Sequence, residues 1–412
     1  MKNLKILIIE DNKINCDIIT EVVRLQGHTP MGFTDAQKAI QEINTAKPDV
    51  ILMDIMMPGV DGLDLCRKIR EDKSLDHIKI IICTAKNYMS DRRMAVESGA
   101  DGYIVKPFNK DSVKKIEAIV HEEIKIKFWG VRGTLPVSHR RSTKYGGNTS
   151  CVSVTFPDNS IWIFDAGSGI KFLSEDIMKS GIEKQKIKIF ISHPHWDHIN
   201  ALPFFAPLYI PGNKIEIYGP KCYGKSIEEL VFSQMDDIHF PITTEEMGAE
   251  IAYTDLQEGS YKFGKVELQT ILLTHPGNCL GYRINYGGLS LCYCTDNELY
   301  LPDSPSYSED IFSNLVNFTK ETNLLITDTT YADETYQKKI HWGHSCVSRV
   351  ADLACKSQCE TLAIFHHDPE QTDSDIDAKL NCAKKVIEKS QAKVQCFAPV
   401  EEEVFRLKSN KD

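Results

Sequence analysis

Five short apolar runs alternate with segments of helical periodicity over the first 124 residues, and this alternation restricts the fold more than any other feature. Strands and helices that alternate in this way form a parallel sheet with helices on both faces. The runs expected to be strands are Leu4–Ile9, Thr29–Phe33, Val50–Met53, Lys79–Cys83 and Gly102–Val105. The helices are expected near residues 14–26, 36–46, 62–72, 88–98 and 110–122. We therefore predict an α/β domain over residues 1–124.

Acidic residues follow two of these strands. Glu10 and Asp11 follow the first run, and Asp54 follows the third. Because the carboxyl ends of parallel strands meet at one edge, the three carboxylates converge there and repel one another unless a cation binds. Oxygen-only ligands select Mg²⁺. Lys106 and Thr84, at the ends of two further runs, can neutralise and hydrogen-bond an added anion. This arrangement favours phosphorylation of Asp54.

The order and spacing of these residues resemble the receiver domain of response regulators, over residues 1–124. The resemblance implies a flavodoxin-like fold with strand order 2-1-3-4-5, Asp54 as phospho-acceptor, and a sensor histidine kinase as partner. It also implies that two chains could pair as a homodimer through their receivers. The expected Mg²⁺ site comprises Glu10, Asp11, Asp54 and Met56, and the expected switch residues are Thr84, Tyr103 and Lys106.

The densest group of ligand-capable side chains is the motif His193-Pro-His195-Trp-Asp197-His198, which follows the apolar run KIKIFIS. Mixed histidine and aspartate donors suit Zn²⁺, Mn²⁺ or Fe. Two chelating pairs, His193 with His195 and Asp197 with His198, predict two ions. The remaining ligands are expected at later strand ends, from His275, Asp296 and one of His366 and His367. Side-chain alternation along ETLAIFHHDP favours His366, and a carboxylate such as Asp296 can bridge two cations.

Residues 125–412 resemble the metallo-β-lactamase fold, a four-layer αββα sandwich. The ligand motifs occur in family order, and within the superfamily the chain is most similar to the phosphodiesterase branch, near ribonuclease Z and the cyclic-phosphate diesterases. The motifs that carry this similarity are FWGVRGT at 128–134, KYGGNTS at 144–150, DAGSG at 165–169, LLITDTTY at 324–331 and WGHS at 342–345. The resemblance implies catalytic roles for Asp197, Asp328 and His344. His344, oriented by Asp328, would stabilise or protonate the departing oxygen of a phosphodiester.

Three other functions stay open on the sequence alone. The fold also serves lactonases and thioesterases, and the same ligand set could bind metal in a sensor without turnover. Flavodiiron-type proteins share the fold, but their motif has Glu where this chain has His195, and no flavin domain is evident.

Charge and composition restrict the expected substrate and the expected cellular location. The net charge is −10, which disfavours strong binding to long nucleic acids. No Gly-rich basic arm interrupts residues 199–275, so a small nucleotide diester, cyclic or linear, is the expected substrate. No apolar run approaches the ~18 residues of a membrane span. The acidic Glu10 and Asp11 come too early for a signal peptide, and thirteen scattered cysteines suit reduced thiols, so we expect a cytoplasmic protein.

Overall fold

The computed structural model describes residues 3–85, 89–120, 123–179, 185–235 and 246–408. The chain divides into two compact units, one formed mainly by Met1–Ile124 and the other by Lys125–Thr155 and Ser160–Leu407. Residues 88, 121 and 122 of the expected helices lie outside the described residues. None of the helices in the described ranges combines the length and the apolar character needed to cross a bilayer.

The first unit contains a five-stranded parallel sheet with the order β2-β1-β3-β6-β7, numbered along the chain. This order confirms the flavodoxin-like arrangement expected from the sequence. Its strands are β1 (Lys5–Ile9), β2 (Thr29–Phe33), β3 (Val50–Met53), β6 (Lys79–Thr84) and β7 (Gly102–Val105), beside a short antiparallel pair of β4 (Met56–Met57) and β5 (Val60–Asp61).

Helices cover both faces of this sheet, so successive residues of a strand enter opposite halves of the core. Leu7 and Ile9 of β1 belong to one buried apolar cluster, and Ile6 and Ile8 belong to the other. Burial on both faces explains why the strands read as continuous apolar runs. The helices are α1 (Lys13–Leu25), α2 (Ala39–Ala46), α3 (Gly62–Glu71), α4 (Met89–Glu97) and α5 (Lys110–Val120).

The second unit contains two seven-stranded mixed sheets. The first sheet has the order β13-β12-β11-β10-β9-β8-β21, and its strands are β8 (Ile124–Gly130), β9 (Cys151–Thr155), β10 (Ile161–Phe164), β11 (Lys186–Phe190), β12 (Lys214–Pro220), β13 (Glu250–Leu256) and β21 (Val404–Leu407). The second sheet follows the chain order, with strands β14 (Gly259–Phe263), β15 (Val266–Leu272), β16 (Leu280–Tyr286), β17 (Leu289–Cys294), β18 (Leu324–Asp328), β19 (Thr361–Phe365) and β20 (Gln395–Phe397).

The two sheets lie between helices, which confirms the four-layer sandwich expected from the sequence. The helices of this unit are α6 (Ile170–Lys179), α7 (Trp196–Ile199), α8 (Ile227–Phe232), α9 (Glu309–Phe318), α10 (Asp333–Tyr336), α11 (Val347–Ser357) and α12 (Asp373–Lys389).

Aromatic side chains pack between the two sheets and hold their strand ends together. The ring of Phe164 in β10 lies 5.5 Å from the rings of Tyr282 and Tyr293 in the second sheet. Strands β10 and β11 are parallel. Strands β15, β17, β18 and β19 also run in one direction, because β16 is antiparallel to both β15 and β17, and β18 pairs in parallel with β17 and β19. The carboxyl ends of these strands are therefore the places where loops from both sheets can build a common site.

Candidate metal centres

The first unit brings Glu10, Asp11 and Asp54 together at the sheet edge. One carboxylate oxygen from each lies within 4.8 Å of the others. The Lys106 ammonium lies 2.7 Å from Glu10 Oε2 and 2.6 Å from Asp54 Oδ2. Burial lowers the pKa of Lys106, but its hydrogen bonds to Asp54 and Glu10 outweigh that effect and raise the pKa. This set of three carboxylates and one permanent cation suits Mg²⁺, which prefers oxygen ligands.

The other residues that the sequence analysis named in this unit are Met56, Thr84 and Tyr103, and they differ in how far they are buried. Met56 lines a surface cavity together with Asp11, and its side chain is 65% exposed. Because Mg²⁺ takes oxygen ligands, only the carbonyl oxygen of Met56 could contribute. Thr84 ends β6 and is buried, whereas Tyr103 in β7 is half-buried with the Arg92 guanidinium 5.5 Å from its ring.

The second unit brings seven of the residues named from the sequence into two adjoining clusters. In each cluster, one potential ligand atom per residue lies within 4.8 Å of the others. The first cluster is His193, His195, His275 and Asp296, and the second is Asp197, His198, Asp296 and His366. Asp296 belongs to both clusters, so its carboxylate is placed where the sequence analysis expected a bridging ligand.

Strand ends position several of these side chains, and two of the seven, Asp296 and His366, share a left-handed backbone conformation with the neighbouring Asp165. Asp165 after β10, Asp296 after β17 and His366 after β19 have φ values of 59°, 50° and 59°. Residues other than glycine rarely adopt this conformation, and it persists where the surrounding contacts hold it. The chain therefore turns sharply as it leaves each strand, which directs the side chains into the site.

Asp165 orients His198 of α7 directly and His193, which follows β11, through Ser192. Its Oδ2 lies 2.7 Å from His198 Nδ1 and accepts hydrogen bonds from Ser192 Oγ at 2.8 Å and Tyr293 Oη at 2.8 Å. Since the Ser192 hydroxyl donates to Asp165, it can accept from His193 Nδ1, 3.1 Å away. These contacts occupy Nδ1 of both histidines and leave Nε2 to face the clusters, as outer hydrogen bonds commonly do for metal ligands.

The histidines of the second sheet are held in the same way. The Nδ1 atom of His275 lies 2.8 Å from the Gly343 carbonyl oxygen, to which its N–H donates a hydrogen bond. The Nδ1 atom of His366 lies 3.0 Å from Thr330 Oγ1, whose hydroxyl donates to Asp328 Oδ1 at 2.7 Å. Each ring therefore presents Nε2 to its cluster.

The residues present fit two divalent transition-metal ions. The Nε2 atoms of His193 and His198 are buried and make no hydrogen bond of good geometry among the described residues, although His198 Nε2 lies 3.1 Å from Asp296 Oδ1 and 3.2 Å from Asp197 Oδ2. Burial lowers the pKa of His193, His195 and His275, which keeps these rings in the neutral form that binds metal. A buried imidazole nitrogen without a partner is costly unless a ligand satisfies it. The orphaned nitrogens and the neutral rings thus match the donor set that Zn²⁺, Mn²⁺ or Fe would use.

The second cluster also carries an excess of buried negative charge. Burial lowers the pKa of His198, but Asp197, Asp296 and Asp165 outweigh it and raise that pKa well above its usual value. Without another cation, His198 is the group that compensates these carboxylates. A metal ion at this position would supply the missing positive charge.

His344 lies beside the clusters and is paired with Asp328. Its Nδ1 atom is 2.7 Å from Asp328 Oδ2 and 3.9 Å from Asp296 Oδ2, and its ring stacks on His366 with centroids 5.0 Å apart. Burial lowers the pKa of His344, but the Asp328 carboxylate outweighs it and raises the pKa to about 9. The imidazole is therefore charged near neutral pH and carries a proton on Nε2 that it can donate.

His367 points away from both clusters. Its Nδ1 atom accepts a hydrogen bond from the buried Lys379 ammonium at 3.0 Å, and the same ammonium donates to the carbonyl oxygens of Thr329 and Thr330 at 2.5 and 3.2 Å. Burial lowers the pKa of Lys379 to about 7. Of the two adjacent histidines, His366 is the one that the structure brings to the site.

Sequence reasoning missed the residues that shape the site without touching a cluster. Glu298 is buried, and its carboxylate accepts from the backbone N–H groups of His341 and Gly343, both at 2.8 Å, and from Tyr336 Oη at 3.0 Å. A Cβ atom at Gly133 would lie 2.1 Å from His366 Cε1, so only glycine fits there. Gly133 lies in a motif that the sequence analysis noted, whereas Glu298 carried no signal.

Each unit contains a segment that matches the model of a known protein family. Residues 6–117 match the family model of the response regulator receiver domain, and residues 163–367 match that of the beta-lactamase superfamily domain. The DNA-binding response regulator MtrA of Mycolicibacterium paratuberculosis is 35% identical over 115 residues, covering 28% of this chain and 50% of MtrA. The regulatory protein PhoP of Bacillus subtilis, named for alkaline phosphatase synthesis, is 31% identical over 119 residues, covering 29% of this chain and 49% of PhoP.

These matches span about half the length of the curated relatives. The second unit is similar in fold to the metallo-beta-lactamase fold protein YhfI of Bacillus subtilis, with a TM-score of 0.50 and 16% identity, over 69% of this chain and 100% of YhfI. The chain therefore joins a response regulator receiver domain to a beta-lactamase superfamily domain.

Proposed function

We propose that this chain is a response regulator whose output is a metal-dependent phosphodiesterase, acting on a small nucleotide diester and controlled by phosphorylation of Asp54. In this proposal residues 1–124 form the receiver and residues 125–412 form the hydrolase. The observation that carries the proposal is the sharing of Asp296 between two four-residue clusters, with the His344–Asp328 pair beside them.

Two divalent ions, when bound by the seven cluster residues, would supply positive charge against a phosphoryl group and a nucleophile from water at neutral pH. The chain's own residues supply the remaining steps. Asp165 and Thr330 fix the rings of His198 and His366, so the ligand nitrogens need no rearrangement when substrate arrives. Such preorganisation lowers the barrier because the site does not reorganise during the reaction.

His344 is suited to proton transfer. Asp328 holds Nδ1, so a proton on Nε2 is available for the oxygen that leaves phosphorus. The pKa of about 9 keeps this proton in place at neutral pH. After the bond to phosphorus breaks, Asp328 stabilises the ring in the tautomer that can be protonated again.

The receiver site supports the regulatory half of the proposal. Asp54 would receive the phosphoryl group from a sensor histidine kinase, with Mg²⁺ held by Glu10, Asp11 and Asp54. Lys106 already contacts the Asp54 carboxylate, so it can neutralise charge on the added group. Glu10 Oε2 also accepts a hydrogen bond from that ammonium.

Hydrolysis of bis(p-nitrophenyl) phosphate tests the proposal. Protein loaded with Mn²⁺ or Zn²⁺ should release nitrophenol, and His195→Ala should lose this activity because the first cluster loses a ligand. The exposed His139 lies in the same unit outside the clusters, so His139→Ala is the matched control. Hydrolysis of a lactone or thioester substrate, with no turnover of any phosphodiester, would contradict the proposal.

A further inference from the structure

A cavity of about 690 Å³ lies directly beside the first cluster. His275 and Gly343 form one wall of it, and strand β15 and helix α9 form the others. His275 is also a member of the first cluster, so this cavity adjoins the place where the proposed reaction occurs. Its volume is in the range typical of small-molecule pockets.

The lining of this cavity is mainly apolar and aromatic. Leu272 and Ile311 are large apolar side chains in this lining, with exposed fractions of 48% and 55%. The rings of Tyr300 and His341 lie 5.4 Å apart, and Tyr300 Oη is 3.0 Å from His341 Nδ1. These surfaces suit a flat ring that can stack and displace water.

The charges around the cavity disfavour a second phosphate group. Its charged lining residues among those described are Glu258 and Glu298, and no lysine or arginine is among them. The Glu298 carboxylate is already saturated by three donors from the chain. An additional anion here would meet negative charge without a cation to compensate it.

One polar group in the wall lacks a partner. Asn297 is 2% exposed and its Oδ1 accepts from the backbone N–H of Thr274 at 2.9 Å, but its Nδ2 has no hydrogen-bond partner among the described residues. An unmade hydrogen bond of a buried donor is unfavourable. Asn297 gives the mainly apolar wall a hydrogen-bonding side chain, the kind of group that selects a ring with acceptor atoms on its edge, such as a nucleobase.

We infer that this cavity is a subsite for a nucleobase on the part of the diester that does not leave. The inference rests on the proposed function and places the base of its nucleotide substrate in this cavity. It requires an uncharged aromatic ring on one side of the reacting phosphate, held between the Leu272 and Ile311 side chains and the Tyr300–His341 pair.

Two esters with the same leaving group test the subsite. The p-nitrophenyl ester of thymidine 5′-phosphate carries a base, whereas methyl p-nitrophenyl phosphate does not, and both bear one negative charge. The Mn²⁺-loaded full chain should have a kcat/KM at least about tenfold higher for the thymidine ester, as expected for one stacked base. Ile311→Glu and Leu272→Glu should reduce this ratio towards one.

The control is Val404→Glu, which adds the same charge at another exposed apolar residue of this unit, outside the cavity lining. Ile311 follows the N-cap Ser308 by three residues, where glutamate favours a helix start, so Ile311→Glu should fold normally. Ile311→Glu should also weaken binding of thymidine 5′-phosphate more than binding of inorganic phosphate, measured by calorimetry.

The outcomes separate the two claims. If neither ester is hydrolysed, the proposed function fails, and the calorimetric comparison alone decides the subsite. If both esters are hydrolysed with equal kcat/KM, or if both variants keep the wild-type ratio, the proposed function stands and the subsite is refuted.

Discussion

The Nδ1 atom of His344 lies 2.7 Å from Oδ2 of Asp328, which is itself fully buried. His344 and Asp328 form a third cluster with Asp296 and His366, whereas His344 belongs to neither of the clusters that contain His193, His195, Asp197 and His198. His344 is thus placed to act on a substrate while the ligand sets stay complete.

His344→Ala should keep both metal ions and lower the hydrolytic rate by roughly 10²–10⁴-fold, the usual effect of losing a positioned proton donor. The loss should be smaller for nitrophenyl esters than for alkyl esters, because a nitrophenolate leaves without a proton. Metal analysis and steady-state kinetics with both leaving groups measure this. An equal loss for the two esters would assign His344 to binding or structure.

His366→Ala and His367→Ala should separate metal binding from folding. The first removes a member of the second cluster and should leave about one ion per chain. The second removes an acceptor of the buried Lys379 ammonium, so it should retain two ions and lower the free energy of unfolding by about 1–3 kcal/mol. Elemental analysis and urea denaturation of each variant distinguish them. Loss of an ion from His367→Ala alone would show that the ligand is misassigned.

Gly133→Ala should disturb the second cluster although residue 133 is not a ligand. The added methyl group would lie 2.1 Å from the His366 ring and must displace it. We expect a roughly 10–100-fold weaker second metal affinity, similar to the loss of an outer-shell contact. Gly264→Ala is a control for destabilisation away from the site, because its φ of 61° strains an alanine although its Cβ would meet no atom within 4 Å. Metal titration showing equal effects in the two variants would remove Gly133 from this role.

Beryllium fluoride with Mg²⁺ should mimic the phosphorylated receiver and change the diesterase rate. A ligand shifts an equilibrium only through its different affinities for the states, and typical coupling is about 5–150-fold. Asp54→Ala should abolish the response, whereas Asp76→Ala, at an exposed carboxylate, should retain it. Rates and solution mass are measured with and without the mimic. A bound mimic that alters neither quantity would mean that the receiver serves another purpose.

The sequence predicted the receiver strands to within one residue at each end. Strand β3 was expected at Val50–Met53 and is found there, and β6 ends one residue later than expected, at Thr84. Strand β3 is buried on both faces and consists of apolar residues throughout, so its end coincides with the polar Asp54. The helix expected near 36–46 was harder to place, because residues 36–38 form a short 3₁₀ turn before α2 begins at Ala39.

The alternation pattern alone does not determine which of His366 and His367 faces the site. Alternation along β19 favoured His366, but the strand ends at Phe365 and His366 has a φ of 59°. The direction of its side chain therefore follows from the turn after the strand, which alternation does not describe. The contacts of Glu298 could not be predicted, because its donors come from residues 336, 341 and 343, far along the chain.

Glu298 lines the cavity and also anchors the loop that carries His341 and Gly343, next to His344. A substitution at Glu298 would alter the pocket and the proton donor together. Substitutions at Leu272 and Ile311 should alter the pocket without altering the proton donor, since their side chains lie at the exposed side of the cavity. Substrate preference in relatives of this chain should therefore diversify at positions 272 and 311, while position 298 stays constrained. Substitutions at the exposed side of the cavity can therefore change substrate preference without lowering the rate of proton transfer, whether they arise in evolution or by design.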